Sequence, residues 1–381
     1  MAAAKPLKIG LVLDDTLDSS DGVQQYVLTT GAWLSSQGHE VHYLVGQTSR
    51  ADIANVHSLS RNVKVRFNGN RLSLPLPMSW FKARQVMARE QFDVLHVQMP
   101  YSPFLAQPLI RAAASETAVV GTFHILPYSG LAAAANRVLA FALRPTLKRF
   151  DSIVSVSSAA ATFAKKQYDI DSSVLPNAID YQRFVLARRS STGKLPAIIF
   201  LGRLVPRKGC LILLQAVAEV RHTNPELHFS VRIGGKGPLL ASLQAYVTQQ
   251  HLGDVVTFDG FVPEATKPAY YAAADIAVFP SSSGESFGIV LAEAMASGNT
   301  AVLAGDNPGY RSVMEPRPEL LFDPLSPHDL ALKLETLLVD DRYRHTMALW
   351  GKDYSAHFDI QVVGTKLIEL YSQALRKRPQ L

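Results

Sequence analysis

Short β-branched runs alternate with longer stretches of helical period along almost the whole chain, and this alternation narrows the fold before any single residue is considered. A first series of runs covers 8–13, 41–45, 63–67, 94–97, 119–124 and 153–157. A second begins after residue 195, with runs at 197–201, 227–233, 255–258, 276–279 and 301–304. Near-continuous apolar strands separated by helices pair in parallel, each crossover covering the sheet with its helix. Two doubly wound α/β units are therefore expected, and a chain of 381 residues is long enough for two cores. Between the two series, residues 187–196 are polar, Gly- and Pro-marked and aperiodic, so they read as a linker beside a ligand cleft.

Ligands of doubly wound sheets sit beyond the carboxyl ends of the strands, so the loops that follow strands carry most of the information. The most informative is Ser283-Gly-Glu-Ser-Phe-Gly-Ile-Val-Leu-Ala-Glu-Ala-Met-Ala-Ser297, a polar turn opening into an apolar helix with two carboxylates, Glu285 and Glu293. The free N–H groups of Phe287, Gly288 and Ile289 at the helix start favour an anion, and Gly288 keeps the approach open. A buried Glu293 needs a partner, either a ligand hydroxyl or an internal arginine. Donors for phosphate beside carboxylates for hydroxyls suit a sugar joined to a diphosphate. The plainer alternative is a core helix with Glu285 on its dipole.

Arg203-Leu-Val-Pro-Arg-Lys-Gly209 also follows a strand and precedes a helix. Cations at a helix start are unfavourable without an anion between them, so Arg203, Arg207 and Lys208 point to a diphosphate held without metal. Gly234-Gly-Lys-Gly-Pro238 would let backbone N–H groups approach a phosphate or ribose through Gly235. Leu240 stands where the third glycine of a dinucleotide fingerprint would be, which argues against a nicotinamide or flavin dehydrogenase. His124 ends a strand of the first unit, either facing a sugar or serving the core. Asp169-Ile-Asp171 reads as an accidental pair of carboxylates with no supporting cluster. No zinc spacing and no G-x-S-x-G turn is present, so no bound metal is expected.

A formal charge of +6 and a pI near 9.3 suggest an anionic partner, a nucleotide, an anionic lipid or a nucleic acid. Nucleic acid is disfavoured, because the basic residues are not interleaved with aromatics. The single cysteine, Cys210, excludes an internal disulfide and fits the cytoplasm. No signal peptide and no membrane span is read from the sequence. Two basic segments are candidates for an anionic membrane surface. One places Trp80 and Phe81 beside Lys82, Arg84 and Arg89, and the other, 136–150, carries Arg137, Arg144, Lys148 and Arg149. Ordinary surface helices explain both segments equally well.

On these residues the chain resembles glycosyltransferase family 4, the retaining GT-B class, and within it the bacterial phosphatidylinositol α-mannosyltransferases. The resemblance rests on Glu285 and Glu293 in Gly284 to Gly298, on Phe200-Leu-Gly-Arg203 with Lys208, and on Pro176-Asn-Ala-Ile-Asp180, Phe92-Asp-Val-Leu-His96, Thr122-Phe-His124 and Gly22-Val-Gln24. It implies two Rossmann-like domains, 1–186 for the acceptor and 195–357 for the nucleotide sugar, with a C-terminal helix over about 358–381 packing back on the first. It implies that Arg203 and Lys208 hold the diphosphate, Glu285 and the backbone of Phe287 to Ile289 the sugar, and Glu293 the ribose. His124 would complete the sugar site from the opposite domain, and Gly22 and Gly235 would approach the donor. Glu264 and Lys267 fall where these enzymes contact guanine, so the expected donor is GDP-mannose and no further cofactor is expected. Gln24, Asn68, Arg71, Trp80, Lys82 and Arg84 are the acceptor- or membrane-side candidates. The expected enzyme is peripheral on the inner face of the cell membrane and transfers a hexose to a lipid such as phosphatidylinositol with α linkage. A UDP-sugar enzyme with a soluble or glycolipid acceptor, or a non-catalytic nucleotide-binding scaffold, are the alternatives.

Overall fold

The structure is a computed structural model that describes residues 5–19, 21–67, 70–124, 143–187 and 195–379, with backbone alone for 64–67 and 70–74. Two compact units divide the chain: Met1–Ala178 together with Ile360–Leu381, and Ile179–Asp359.

In the first unit, a seven-stranded sheet contains β1 (Lys8–Leu13), β2 (Glu40–Val45), β3 (Val56–Ser58), β6 (Val94–Gln98), β7 (Ala118–Phe123), β8 (Ser152–Ser155) and β9 (Ser173–Val174). Their order is β3-β2-β1-β6-β7-β8-β9, and every pair is parallel. The chain leaves β1 toward one edge and returns at β6 to build toward the other, so the switch point lies between β1 and β6. The 63–67 run does not join this sheet. It forms β4 (Asn62–Phe67), antiparallel to β5 (Asn70–Pro75) in a separate two-stranded ribbon. Its alternation of Val63, Lys64, Val65, Arg66 and Phe67 is the pattern of a half-covered antiparallel strand, and Asn68-Gly69 is a two-residue hairpin signal.

The helix Ile360–Arg376 packs on the helix Gly22–Ser36 of the first unit. Trp33 donates its indole N–H to Gln361 Oε1 at 2.9 Å, and a Cβ on Gly364 would lie 2.5 Å from the Trp33 ring. Tyr371, fully buried, meets His96 Nδ1 at 2.7 Å under the sheet.

The second unit contains β10 (Ala197–Leu201), β11 (Ser230–Gly234), β12 (Val256–Gly260), β13 (Ile276–Phe279), β14 (Ala301–Gly305) and β15 (Leu321–Phe322), ordered β12-β11-β10-β13-β14-β15 and parallel throughout. Its switch point falls between β10 and β13. The unit begins at Ile179, seven residues before the end read for the first domain at 186. The short helix Tyr181–Val185 belongs to it because Phe184 packs 6.1 Å from the Tyr271 ring and Arg183 pairs with Glu264. The polar linker expected over 187–196 is thus not where the units part.

Candidate active site

The loops leaving β10 and β13 meet at the switch point of the second sheet, and glycine makes the meeting possible. Gly209 sits in the left-handed region (φ 68°), where a Cβ would come 2.1 Å from the Pro280 carbonyl oxygen. Freed of that clash, the two loops bond directly: Ser282 N donates to Arg207 O at 2.9 Å, and the Ser281 hydroxyl lies 3.1 Å from the same oxygen. On this frame Glu285 Oε1 receives Arg207 NH1, Lys208 Nζ and Ser281 Oγ, each at 2.8 Å. Burial alone would push the Glu285 carboxyl upward; the Lys208 and Arg207 charges outweigh it and hold the group below its ordinary range.

Two further contacts fix the loop. A Cβ on Gly309 would lie 2.1 Å from the Glu285 carbonyl oxygen, so the helix Pro308–Met314 rides against the loop backbone. Asn307 caps that helix by accepting from Tyr310 N at 3.0 Å and donates to Ser281 O at 2.8 Å. The helix Ile289–Ala296 then starts from Gly288 at φ 106°, where any Cβ would meet the Tyr310 ring at 2.6 Å. Gly288 has no side chain with which to cap the first turn; Leu291 N turns back on Gly288 O at 2.9 Å, and no side-chain cap is made to the N–H groups before it.

Glu293, buried on that helix, finds an internal cation, a lysine where an arginine was one of the two expected partners. Lys267 Nζ lies 3.0 and 3.2 Å from its two oxygens and 2.9 Å from Glu264 Oε2, while the Tyr271 hydroxyl donates to Glu293 Oε2 at 3.3 Å. The Glu293 and Glu264 charges keep Lys267 protonated in spite of burial. A carboxylate offers about four acceptor positions, so Glu293 retains room for about one more donor. Glu264 is not an open carboxylate either: Arg183 NH1 meets its Oε1 at 3.2 Å, and Arg183 also donates to its backbone oxygen.

The glycines of 234–238 serve packing. Gly235 N is spent on Gly260 O, and a Cβ at Gly235 (φ 142°) would lie 1.8 Å from Gly202 O. A Cβ at Gly237 would lie 2.3 Å from Leu204 O, so both glycines let the β11 exit lie on the β10 exit. The Gly235 N–H is therefore not available to a phosphate. Arg203, at that β10 exit, is half-buried and forms no ion pair with a described residue.

In the first unit the polar residues also gather at the carboxyl ends of β1, β6 and β7. His124 is buried, with Nε2 2.7 Å from Gln98 Oε1 and its ring edge-on to Tyr26 at 4.9 Å. An amide oxygen only accepts, so the proton sits on Nε2, and burial, reinforced by His96, pulls the imidazole down to about 3. It is neutral under physiological conditions. Asp14 accepts from Leu105 N at 3.0 Å and from the Ser102 hydroxyl. Gln24, two residues into the helix that Gly22 opens, donates to Asp15 at 3.0 Å, and burial pushes the Asp15 carboxyl up to about 6.

Comparison with known proteins decides what this pair of sites belongs to. The profile described as "Glycosyltransferase Family 4" matches residues 20–183, and "Glycosyl transferases group 1" matches 185–353. The phosphatidyl-myo-inositol mannosyltransferase of Mycobacterium tuberculosis is 30% identical over 377 residues, covering 96% of each chain. The chain belongs to glycosyltransferase family 4. A GDP-mannose-dependent alpha-(1-6)-phosphatidylinositol monomannoside mannosyltransferase of Mycolicibacterium smegmatis is 24% identical over 95% of this chain and 97% of its own. A glycosyltransferase from Rickettsia africae superposes with a TM-score of 0.75 at 16% identity, over 98% of this chain and all of the other. The protein is a hexosyltransferase of GT-B fold.

The remaining candidates of this glycosyltransferase separate clearly. Trp80 and Phe81 begin the helix Trp80–Glu90 and are 49% and 78% exposed, with Arg84 exposed one turn on. Lys82 is not presented freely, because its ammonium donates to Leu59 O at 2.7 Å. Arg149 is likewise turned inward, onto the carbonyls of Ala114 and Thr117 at 2.6 and 2.8 Å. Asn68, the Arg71 side chain and Arg137 lie outside the described residues. Asp169 and Asp171 share Lys165, each at 2.9 Å.

Among the described residues one set of metal-ligating types converges, His42, His57 and Glu90, within 4.8 Å. Its atoms are already taken: Lys8 and Arg89 hold the two Glu90 oxygens at 3.0 and 2.6 Å, and His57 Nε2 lies 2.8 Å from His42 Nδ1. A dication there would have to displace two cations and a shared proton.

Sequence reasoning did not assign the residues that hold the glycosyltransferase's loops together, Ser281, Asn307, Gly309 and Tyr310. The Asn-Pro pair at 307–308 is a helix-start signal, but its bond to Ser281 is set by tertiary packing alone.

Proposed function

We propose that the protein transfers mannose from GDP-mannose to a phosphatidylinositol-type lipid with retention, giving an α linkage, and that it needs no metal. The observation that carries the reading is the convergence of Lys208, Glu285 and an uncapped helix start at one switch point, in a chain aligned over its length with phosphatidyl-myo-inositol mannosyltransferases. As the anomeric carbon ionises, the bond to the diphosphate breaks and charge builds on the leaving oxygen. Arg203 and Lys208 stabilise that charge, the N–H groups at Phe287 to Ile289 add a fixed positive field, and the acceptor hydroxyl attacks the same face, passing its proton to the departing diphosphate oxygen. Glu285 accepts from sugar hydroxyls, and Glu293 uses its remaining acceptor capacity on the ribose. In the first unit we assign His124, a neutral imidazole, to the sugar, and Gly22 and Gln24 to the substrate-facing end of β1. No helix of the described residues is long and apolar enough to cross a membrane, and Trp80, Phe81 and Arg84 form the surface we assign to anionic lipid on the inner face of the cell membrane.

A second reading, a UDP-sugar donor, is favoured by one observation: Glu264, the proposed guanine acceptor, is held by both Arg183 and Lys267. Guanine would have to draw Glu264 from Arg183. Calorimetric binding of GDP and UDP to the full chain tests the choice. Tighter GDP binding that Glu264→Gln weakens supports guanine recognition; tighter UDP binding overturns it.

A further inference from the structure

Glu285 presents its two oxygens unequally. Oε1 collects three donors at 2.8 Å, whereas no described residue donates to Oε2, and the side chain is 12% exposed. The three donors also differ in what they are free to do. Lys208 carries a compact charge on a flexible stem and is the ammonium that the leaving diphosphate requires. Ser281 is uncharged. Arg207 has a planar fork, and NH1 reaches both Glu285 Oε1 and the Ser283 carbonyl, at 2.8 and 3.3 Å. Its own carbonyl receives Ser282 N at 2.9 Å, so one residue grips the 281–285 loop with its backbone and its side chain.

We propose that Arg207 is the positioning residue for Glu285: with Ser281 it clamps Oε1, turns Oε2 to the donor sugar, and holds the carboxylate when Lys208 moves to the diphosphate. The proposal rests on the reading of Glu285 as a sugar-contacting residue. It explains why two adjacent cations stand at this turn where a diphosphate alone needs only the second. Without Arg207, Lys208 would be the one cation among the described residues left on Glu285, while the diphosphate also draws on it beside Arg203.

The test uses the full chain with GDP-mannose and vesicles containing phosphatidylinositol, and reads turnover, donor KM and the acid limb of the pH profile. Arg207→Met should lower kcat by about 10²-fold, the lower end of the range for one lost preorganised donor, and move the acid limb to higher pH, since one of the two charges that hold the Glu285 carboxyl down is gone while Lys208 remains. Arg207→Lys should restore the acid limb while kcat stays reduced, because the charge returns and the fork does not. If Arg207→Met does not fold, Ser281→Ala carries the same test with all charges in place: a several-fold loss of kcat at unchanged donor KM is expected. Wild-type kcat and acid limb in Arg207→Met, or wild-type kcat in both Arg207→Lys and Ser281→Ala, overturn the proposal. Glu285→Gln run beside them separates the two failures: its full activity would overturn the role of Glu285 itself, whereas a crippled Glu285→Gln beside a normal Arg207→Met would overturn only the role of Arg207.

Discussion

Replacing Lys267 with Met should destabilise the Ile179–Asp359 unit strongly, by an amount that depends on pH. Lys267 and Glu293 are only 9% and 3% exposed, and the ammonium makes contacts of 2.9 to 3.2 Å with three carboxylate oxygens. Methionine keeps most of the aliphatic volume, so little cavity forms and the loss is electrostatic. Among the described residues Glu293 would then keep only the Tyr271 hydroxyl at 3.3 Å. Breaking a buried pair on one side costs about 3–5 kcal/mol, which for a domain of this size lowers the melting temperature by roughly 6–20 °C. In the variant, burial and Glu264 raise the folded-state Glu293 carboxyl above its unfolded value. The deficit is therefore smallest at low pH, where Glu293 is protonated in both states, and it grows as pH rises through the folded value. Urea denaturation at pH 5 and pH 8, with hydrogen exchange of the Ile289–Ala296 helix, measures it. Adding Glu293→Gln should recover part of the loss at pH 8 by removing the buried charge. A Lys267→Met protein within about 1 kcal/mol of wild type at pH 8 would refute the reasoning.

Replacing Arg203 or Lys208 with Ala should cut turnover by about 10²-fold or more with folding intact; activity within a few-fold of wild type for both would remove the diphosphate assignment. The chain should sediment with anionic but not zwitterionic vesicles at low salt and be released as ionic strength rises. Because Lys82 is tied to Leu59 O while Arg84 is exposed, Phe81→Ser and Arg84→Ser should weaken binding more than Lys82→Ser, by about 1 kcal/mol per charge removed near the surface. Absence of vesicle binding at low salt would take the acceptor off the membrane.

The alternation of apolar runs made both parallel sheets legible, because strands covered on both faces must be apolar along their length. It misled at Val63–Phe67, where the residues themselves alternate, and it missed β15, whose two residues Leu321–Phe322 are too few to show a period. Position in the site was legible to the same degree: Lys208 and Glu285 follow predicted strands and lie at the strand exits. Partnership was not. Lys267 and Glu293 are 26 residues apart, and Arg207 and Glu285 are 78 apart, so only the fold brings them together. The glycines at 234–238 show how a motif misleads when its cause is packing: Gly235 and Gly237 are required by the backbone of Gly202 and Leu204. The compact units divide a few residues before the boundary read at 186, because Phe184 on a short polar helix finds its apolar neighbour Tyr271 in the second unit.

The central claim is a retaining, metal-independent transfer centred on Glu285 and Lys208. Its most direct test is transfer of mannose from GDP-mannose to phosphatidylinositol vesicles in excess chelator, with the anomeric configuration of the purified lipid product read by NMR. The account predicts an α-mannosyl lipid and stoichiometric GDP, undiminished by chelation and reduced at least about 10²-fold by Lys208→Ala. A β-linked product, activity that chelation abolishes and Mg²⁺ or Mn²⁺ restores, or turnover with UDP-sugars alone would contradict it.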